Sequence, residues 1–160
     1  MVAPEARCPS PRRPKCSATT VIVVDASVLA PALGDDDADG DQARARLVGE
    51  ALAAPEIIDL EVASVLRRLV RAAHLPVRRA DLALVDLVAL PLRRVSHRPL
   101  LSRCWELRDN LTVYDAAYVA LAEQLGVSLV TADVRLARVP GLGCAIELLA
   151  RPPTRQGSSA

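Results

Sequence analysis

Phenylalanine is absent from this chain of 160 residues, and one tryptophan and two tyrosines are its only aromatics. So few rings argue against a surface that binds nucleic acid by stacking successive bases. Lysine is almost absent as well: Lys15 is the only one, and every other basic residue is arginine. With no G-x-x-x-x-G-K-[ST] and no lysine beyond the first residues, a P-loop NTPase is excluded. The missing core lysine also counts against a phosphoacceptor receiver domain. No G-x-S-x-G marks a serine hydrolase. "DAS" at Asp25 lacks the second aspartate of a haloacid-dehalogenase phosphatase. No apolar run approaches the ~20 residues that span a bilayer. No apolar stretch before a small-residue cleavage site follows the basic start, so no signal peptide is expected and a cytoplasmic protein is.

The four cysteines, Cys8, Cys16, Cys104 and Cys144, show no C-x2-C spacing and have no histidine nearby in sequence. They read as free thiols of a reducing compartment rather than zinc ligands. His74 and His97 read as surface residues. A net charge of +1 does not advertise nucleic-acid binding. Arginine forks suit phosphates, although codon usage explains the same bias.

What is present suits one domain with a real core: 51% hydrophobic and 24% charged residues. Residues 1–18 are rich in Pro, Arg and Ser and read as a disordered extension, or as a start codon placed too far upstream. Residues 150–160 read as a similar tail, which leaves 19–149 as the folded domain.

Within it the chain alternates. "TVIVVD" (20–25) is a β-branched run expected to be a strand buried on both faces. Helical segments "SVLAPAL" and "QARARLVGEALA" follow, separated by the acidic "GDDDADGD", read as a solvated turn. "APEIID" (54–59) is a short strand candidate. "LEVASVLRRLVRAAHL" (60–75) and "VRRADLALVDLVAL" are helical. "LRRVS" (92–96) is a weak strand, and "PLLSRCWELRDN" a helix ending near Asn110. "TVYDAAYVALAEQLG" is a helix stopped by Gly126. "VSLVTAD" and "AIELL" (145–149) are strands. The pattern predicts an α/β fold of three layers, α/β/α, with a mostly parallel central sheet.

In such sheets ligands bind beyond the carboxyl ends of the strands. That rule selects Asp25 after "VIVV", Asp133 after "LVTA", and Glu61 after "EII". Asp115 opens the helix that leads into the Asp133 strand. A strictly antiparallel helix is expected to place it at the opposite end, unless the preceding segment climbs above the sheet. Each acid has a bland explanation. "TVYD" is a variant capping box, Asp25 and Asp133 suit helix caps, and Glu61 suits a first turn. Four such carboxylates in one place would repel one another. A divalent cation removes that repulsion, and hard oxygen donors in this number suit Mg²⁺ or Mn²⁺. Metal-dependent phosphodiester hydrolysis is the natural reaction.

With these residues assembled, the chain resembles PIN-domain ribonucleases of the VapC toxin type over about residues 20–149. "VVDASVL" resembles the family's opening strand and first acid. "APEIIDLEVASVLRR" resembles the segment with the glutamate. "LTVYDAAYVALAEQLGVSLVTAD" resembles the third and fourth acids with their linking helix. The resemblance implies a PIN fold and catalysis by Asp25, Glu61, Asp115 and Asp133 around Mg²⁺ or Mn²⁺. Asp25 and Asp115 would be the most direct metal ligands. Ser27 and Thr131 would hydrogen-bond those carboxylates or a substrate phosphate, with strand-end capping as the alternative. An RNA substrate, a cognate VapB-type antitoxin and a homodimer are implied too. The antitoxin would lie in the site groove, with Trp105 a candidate for its apolar wall. The rival readings are a metal-dependent nuclease or phosphatase on another phosphate substrate, and a non-catalytic PIN-fold binding module. The binding module is expected to have lost one or more acids.

Overall fold

A computed structural model describes residues 20–150 of the chain. The extension expected over 1–18 lies outside the described residues, as does the tail beyond Ala150.

Five strands form one sheet: β1 Val21–Val24, β2 Ala51–Pro55, β3 Leu92–Val95, β4 Leu129–Thr131 and β5 Ile146–Leu148. Their order is β3-β2-β1-β4-β5, and every pairing is parallel. The sheet is therefore wholly, not mostly, parallel. Ile22, Val23 and Val24 are buried, as the continuous β-branched run requires. Each such side chain taken from water stabilises the fold by roughly 1.5–3 kcal/mol.

The helices are α1 Ala26–Gly34, α2 Ala38–Leu47, α3 Ile58–Arg71, α4 Val77–Ala89, α5 Leu101–Glu106 and α6 Val113–Leu125. α1 packs against α2, α3 and α4, whereas α6 packs against α5 and across β1 and β2. Parallel crossovers are right-handed, so reversing the direction of winding moves the helices to the other face. The chain winds from β1 outward to β3, then returns to place β4 on the far side of β1. The switch point lies between β1 and β4, where a crevice opens beyond the carboxyl ends.

Three expectations need correction. The helix read through "QARARLVGEALA" stops at Leu47, and Ala51 and Leu52 belong to β2. Gly49, at φ 83, makes the turn between them, a conformation that favours glycine. Apolar spacing alone cannot register that break. β2 consequently spans 51–55 rather than 54–59. Its run "ALAAP" has little β propensity, and pairing of Val21, Ile22 and Val23 with Ala51, Leu52 and Ala53 overrides it. Second, α2 begins inside the acidic segment. Asp39 and Asp41 lie in its first turn and Arg44 and Arg46 in its last, each sign complementing the helix dipole. Third, α5 ends at Glu106, short of Asn110. The cap at Gly126 is as expected: its φ is 65 and its N–H bonds Ala122 and Glu123 carbonyls.

Candidate active site

Asp25 follows the last residue of β1 and caps α1. Its backbone N–H donates to the Val130 carbonyl at 3.0 Å, tying it to β4. Its Oδ2 accepts the Ser27 hydroxyl at 2.8 Å and the Thr131 hydroxyl at 2.6 Å. Those hydroxyls are themselves aimed. Ala132 N–H donates to Ser27 Oγ at 2.9 Å, and Asp133 N–H donates to Thr131 Oγ1 at 3.0 Å. Thr131 is fully buried, so its hydroxyl depends on these partners. Both residues therefore hydrogen-bond the first acid, and Asp25 caps a helix as well.

Asp115 lies at the same edge as the others. An antiparallel helix that precedes a parallel strand begins above that strand's carboxyl end, so the second of the two expected placements holds and Asp115 joins the other acids. Asp25 and Asp133 are among the charges acting on Asp115. Thr112 caps α6 by accepting the Asp115 N–H at 3.1 Å, and its own hydroxyl donates to Asp115 Oδ2 at 2.8 Å. The box is thus closed hydroxyl to carboxylate, not carboxylate to backbone as in the usual motif.

Glu61, one turn into α3, accepts a short hydrogen bond from the Tyr118 hydroxyl. Tyr118 stands one turn after Asp115 in α6 and is buried. It was not selected from sequence; its spacing of three from Asp115 was the available signal.

The electrostatics are those of an unneutralised acidic cluster. Burial holds the Glu61 carboxyl above the usual range, with the charges of Asp25 and Asp115 adding to it and the Tyr118 bond opposing. Burial likewise raises Asp115, opposed by Thr112 and by the charge of Arg135 and reinforced by Asp25 and Asp133. Burial, with the neighbouring Glu61 charge, also pushes the Tyr118 hydroxyl far up, so it stays a proton donor. Asp133 differs: hydrogen bonding to Arg135 lowers it.

Among the described residues, no group of three or more Asp, Glu, His or Cys side chains forms a ready-made metal cage. The looser arrangement fits Mg²⁺ or Mn²⁺ in chemical kind. All donors are hard carboxylate oxygens, and Mg²⁺ is usually held through one or two carboxylates while keeping several waters. Glu61 and Asp115 are already raised by burial and by neighbouring carboxylate charge, Asp25 acting on both, so a cation would relieve what the fold leaves unbalanced.

A model of the PIN domain matches residues 22–142. VapC9 of Mycobacterium tuberculosis is 42% identical over 131 residues, covering 82% of this chain and 100% of that protein. The chain belongs to the PIN-domain family, among the VapC ribonucleases. The solved PAE2754 of Pyrobaculum aerophilum has the same fold, with a TM-score of 0.59, 23% identity, and coverage of 86% of this chain and 92% of that one. VapBC2 of Rickettsia felis, solved bound to a DNA fragment from its promoter, superposes at a TM-score of 0.59 with 13% identity, over 82% of this chain and 100% of that one.

Other expected features also have places in this PIN domain. Cys104 and Cys144 are free thiols, and His74 and His97 are exposed. Trp105 is 65% exposed, with the Arg108 guanidinium 5.2 Å from its ring centre. No described helix is long and apolar enough to cross a membrane. A cavity of about 910 Å³, lined by Glu50, Leu52, Leu90 and Pro91 among others, opens where β2 and β3 begin, at the other end of the strands from the acids.

Proposed function

We propose that this VapC-family chain is a Mg²⁺- or Mn²⁺-dependent endoribonuclease toxin acting at Asp25, Glu61, Asp115 and Asp133. One observation carries the site: acids from four separate segments act on one another at the β1–β4 switch point. A binding module that had dropped catalysis would not need to keep all four.

Asp25 and Asp115 would hold the cation, and Glu61 and Asp133 would complete the charge. A bound cation supplies a Lewis acid and water of lowered pKa. The chain supplies the rest. Ser27 and Thr131 fix the Asp25 carboxylate in one orientation. Glu61, oriented by the Tyr118 hydroxyl, is the general base. It takes a proton from the attacking water. The water oxygen bonds to phosphorus, the P–O ester bond on the far side breaks, and the departing ribose oxygen takes a proton from solvent water.

Membership among the VapC ribonucleases further supports a VapB-type antitoxin as partner and a homodimer as the working form. The antitoxin would place a basic side chain by the acids, where Arg135 already shows that a guanidinium is accepted. The test is cleavage of total RNA by the purified chain with Mg²⁺, with Mn²⁺ and with EDTA, alone and with the partner encoded beside it. Sedimentation of the same samples reports the dimer. Cation-independent cleavage, or cleavage of small phosphate esters but not RNA, would refute this reading.

A further inference from the structure

Arg135 and the cavity beside it have no part in the chemistry above. The guanidinium forks onto Asp133, with Nε 3.1 Å from both carboxylate oxygens and Nη2 2.6 Å from Oδ2. The side chain is nonetheless 81% exposed. Asp133 is 22% exposed, so the carboxylate end of the fork is held in the protein while the guanidinium end is open to a second anion. Arg135 also lines a surface cavity of about 520 Å³. That volume lies within the roughly 300–1,000 Å³ of small-ligand sites. Ser27 and Asp133 form its wall toward the acid cluster, and Val134, Leu148 and Leu149 form an apolar wall against the edge strand β5. Ser27 also bonds Asp25, so the cavity adjoins the acid cluster through Ser27 and Asp133.

We propose that this cavity is the subsite for the RNA nucleotide next to the cleaved bond, with Arg135 as its phosphate clamp. The proposal rests on the ribonuclease reading and adds a specificity determinant to it. A planar fork matches a phosphate in two hydrogen bonds, as it now matches the Asp133 carboxylate. A base needs an apolar wall for its face, and aliphatic side chains supply one in a chain so poor in aromatics. Acids alone would repel the RNA backbone, and among the described residues Arg135 is the only arginine that hydrogen-bonds any of the four. The clamp binds substrate; it takes no part in proton transfer.

The experiment uses the full chain and a pool of random-sequence RNA oligonucleotides, with the cut ends sequenced, plus one cleaved oligonucleotide for kinetics. Arg135→Gln is expected to raise KM roughly tenfold or more, the worth of a charge-assisted bidentate contact. The rise in KM exceeds any fall in kcat, as loss of mainly uniform binding should. The variant also lowers the salt dependence of kcat/KM by about one phosphate contact. Arg135→Lys recovers only part, because the fork is lost. Leu148→Trp fills the cavity and shifts the nucleotide preference at a single position beside the cut. Leu148→Ala shifts it too if the bulkier variant does not fold.

Unchanged KM and salt dependence in Arg135→Gln would make Arg135 merely a counter-ion of Asp133 and overturn the clamp. Unchanged preferences in the Leu148 variants overturn the subsite. If deletion of residues 151–160 shifts the preference as Leu148→Trp does, the cavity belongs to the chain's own tail and the proposal fails. A wild-type chain that cuts no RNA in the pool fails differently, because the ribonuclease reading itself then falls.

Discussion

Tyr118, buried in α6, donates its hydroxyl to Glu61 on α3, joining two helices from opposite faces of the sheet across the carboxyl edge. The bond both orients Glu61 and lowers its pKa against burial. Tyr118→Phe removes the donor and keeps the ring. It should cost about 1–3 kcal/mol at neutral pH, the worth of a hydrogen bond to a charged group. Because the bond favours ionised Glu61, the cost should shrink once the pH is low enough to protonate that carboxyl. Urea melts of both proteins at two pH values measure it; a cost independent of pH would mean that the hydroxyl acts only through packing.

Asp25→Asn should reduce Mg²⁺-dependent RNA cleavage by more than about 100-fold, beyond the usual loss from outer-shell changes at metal sites. The fold should persist, since an amide oxygen still accepts the Ser27 and Thr131 hydroxyls. The melting temperature should hold or rise, because the charge of Asp25 is among those pushing Glu61 and Asp115 up. Cleavage close to wild type at an unchanged melt would remove Asp25 from the ligand set.

Asp115→Glu separates capping from chemistry. The cap bond uses the backbone N–H of Asp115, which every variant keeps, and glutamate is the commoner partner in a capping box. Helix and melt should therefore survive, while a carboxylate displaced by one methylene should lose at least about tenfold in cleavage, as misplacement at a reacting centre does. Full activity in this variant would leave Asp115 a capping residue only.

The acids were legible in the sequence because the strand-end rule needs only "VIVVD" and "LVTAD", and both strands are unbroken apolar runs. Their convergence was less legible. It depends on β4 returning beside β1, and on α6 starting above the sheet, neither of which the local pattern of residues carries. β2 was misplaced because alanines carry little strand signal and a pairing partner decided the matter. Tyr118 and Arg135 carry no such sequence signal. Their importance lies in contacts 57 residues apart for the tyrosine and in a fork two residues long for the arginine. Neither has a periodicity to read.

Stability should depend on pH with opposite signs in two windows. Arginine partners lower the carboxyls of Asp133, Glu123 and Glu147. Their contribution is present above the ordinary carboxylate range and is lost as pH falls through the lowered values. Burial and mutual charge raise Glu61 and Asp115. In the window from the ordinary value up to the raised ones the folded state holds more protons than the unfolded, so stability falls as pH rises through it. Thermal melts without divalent cation should show a maximum between the two windows. Mg²⁺ should flatten the upper decline by favouring the ionised acids, and Glu61→Gln should flatten it without metal. A decline unaffected by either would place its cause elsewhere in the molecule.

The last prediction concerns growth. As a VapC-family ribonuclease toxin the chain expressed alone should arrest its host, and Asp133→Ala should relieve the arrest at equal protein level. Asp133 is the delicate choice, because its loss also frees Arg135 from its fork. A freed guanidinium beside three remaining acids would turn to Asp115, on which its charge already acts, and compete there with the cation. The double variant Asp133→Ala with Arg135→Ala distinguishes the two causes. If it stays inactive even at saturating RNA, where loss of the Arg135 clamp no longer limits the rate, Asp133 itself serves the reaction; if cleavage returns there, the single variant was silenced by its own arginine. Co-expression with the product of the neighbouring small gene should relieve the arrest of the wild type by forming a stable complex, visible as co-purification. Arrest that is equally strong with Asp133→Ala, at the same protein level, would show that the harm does not come from the acidic site.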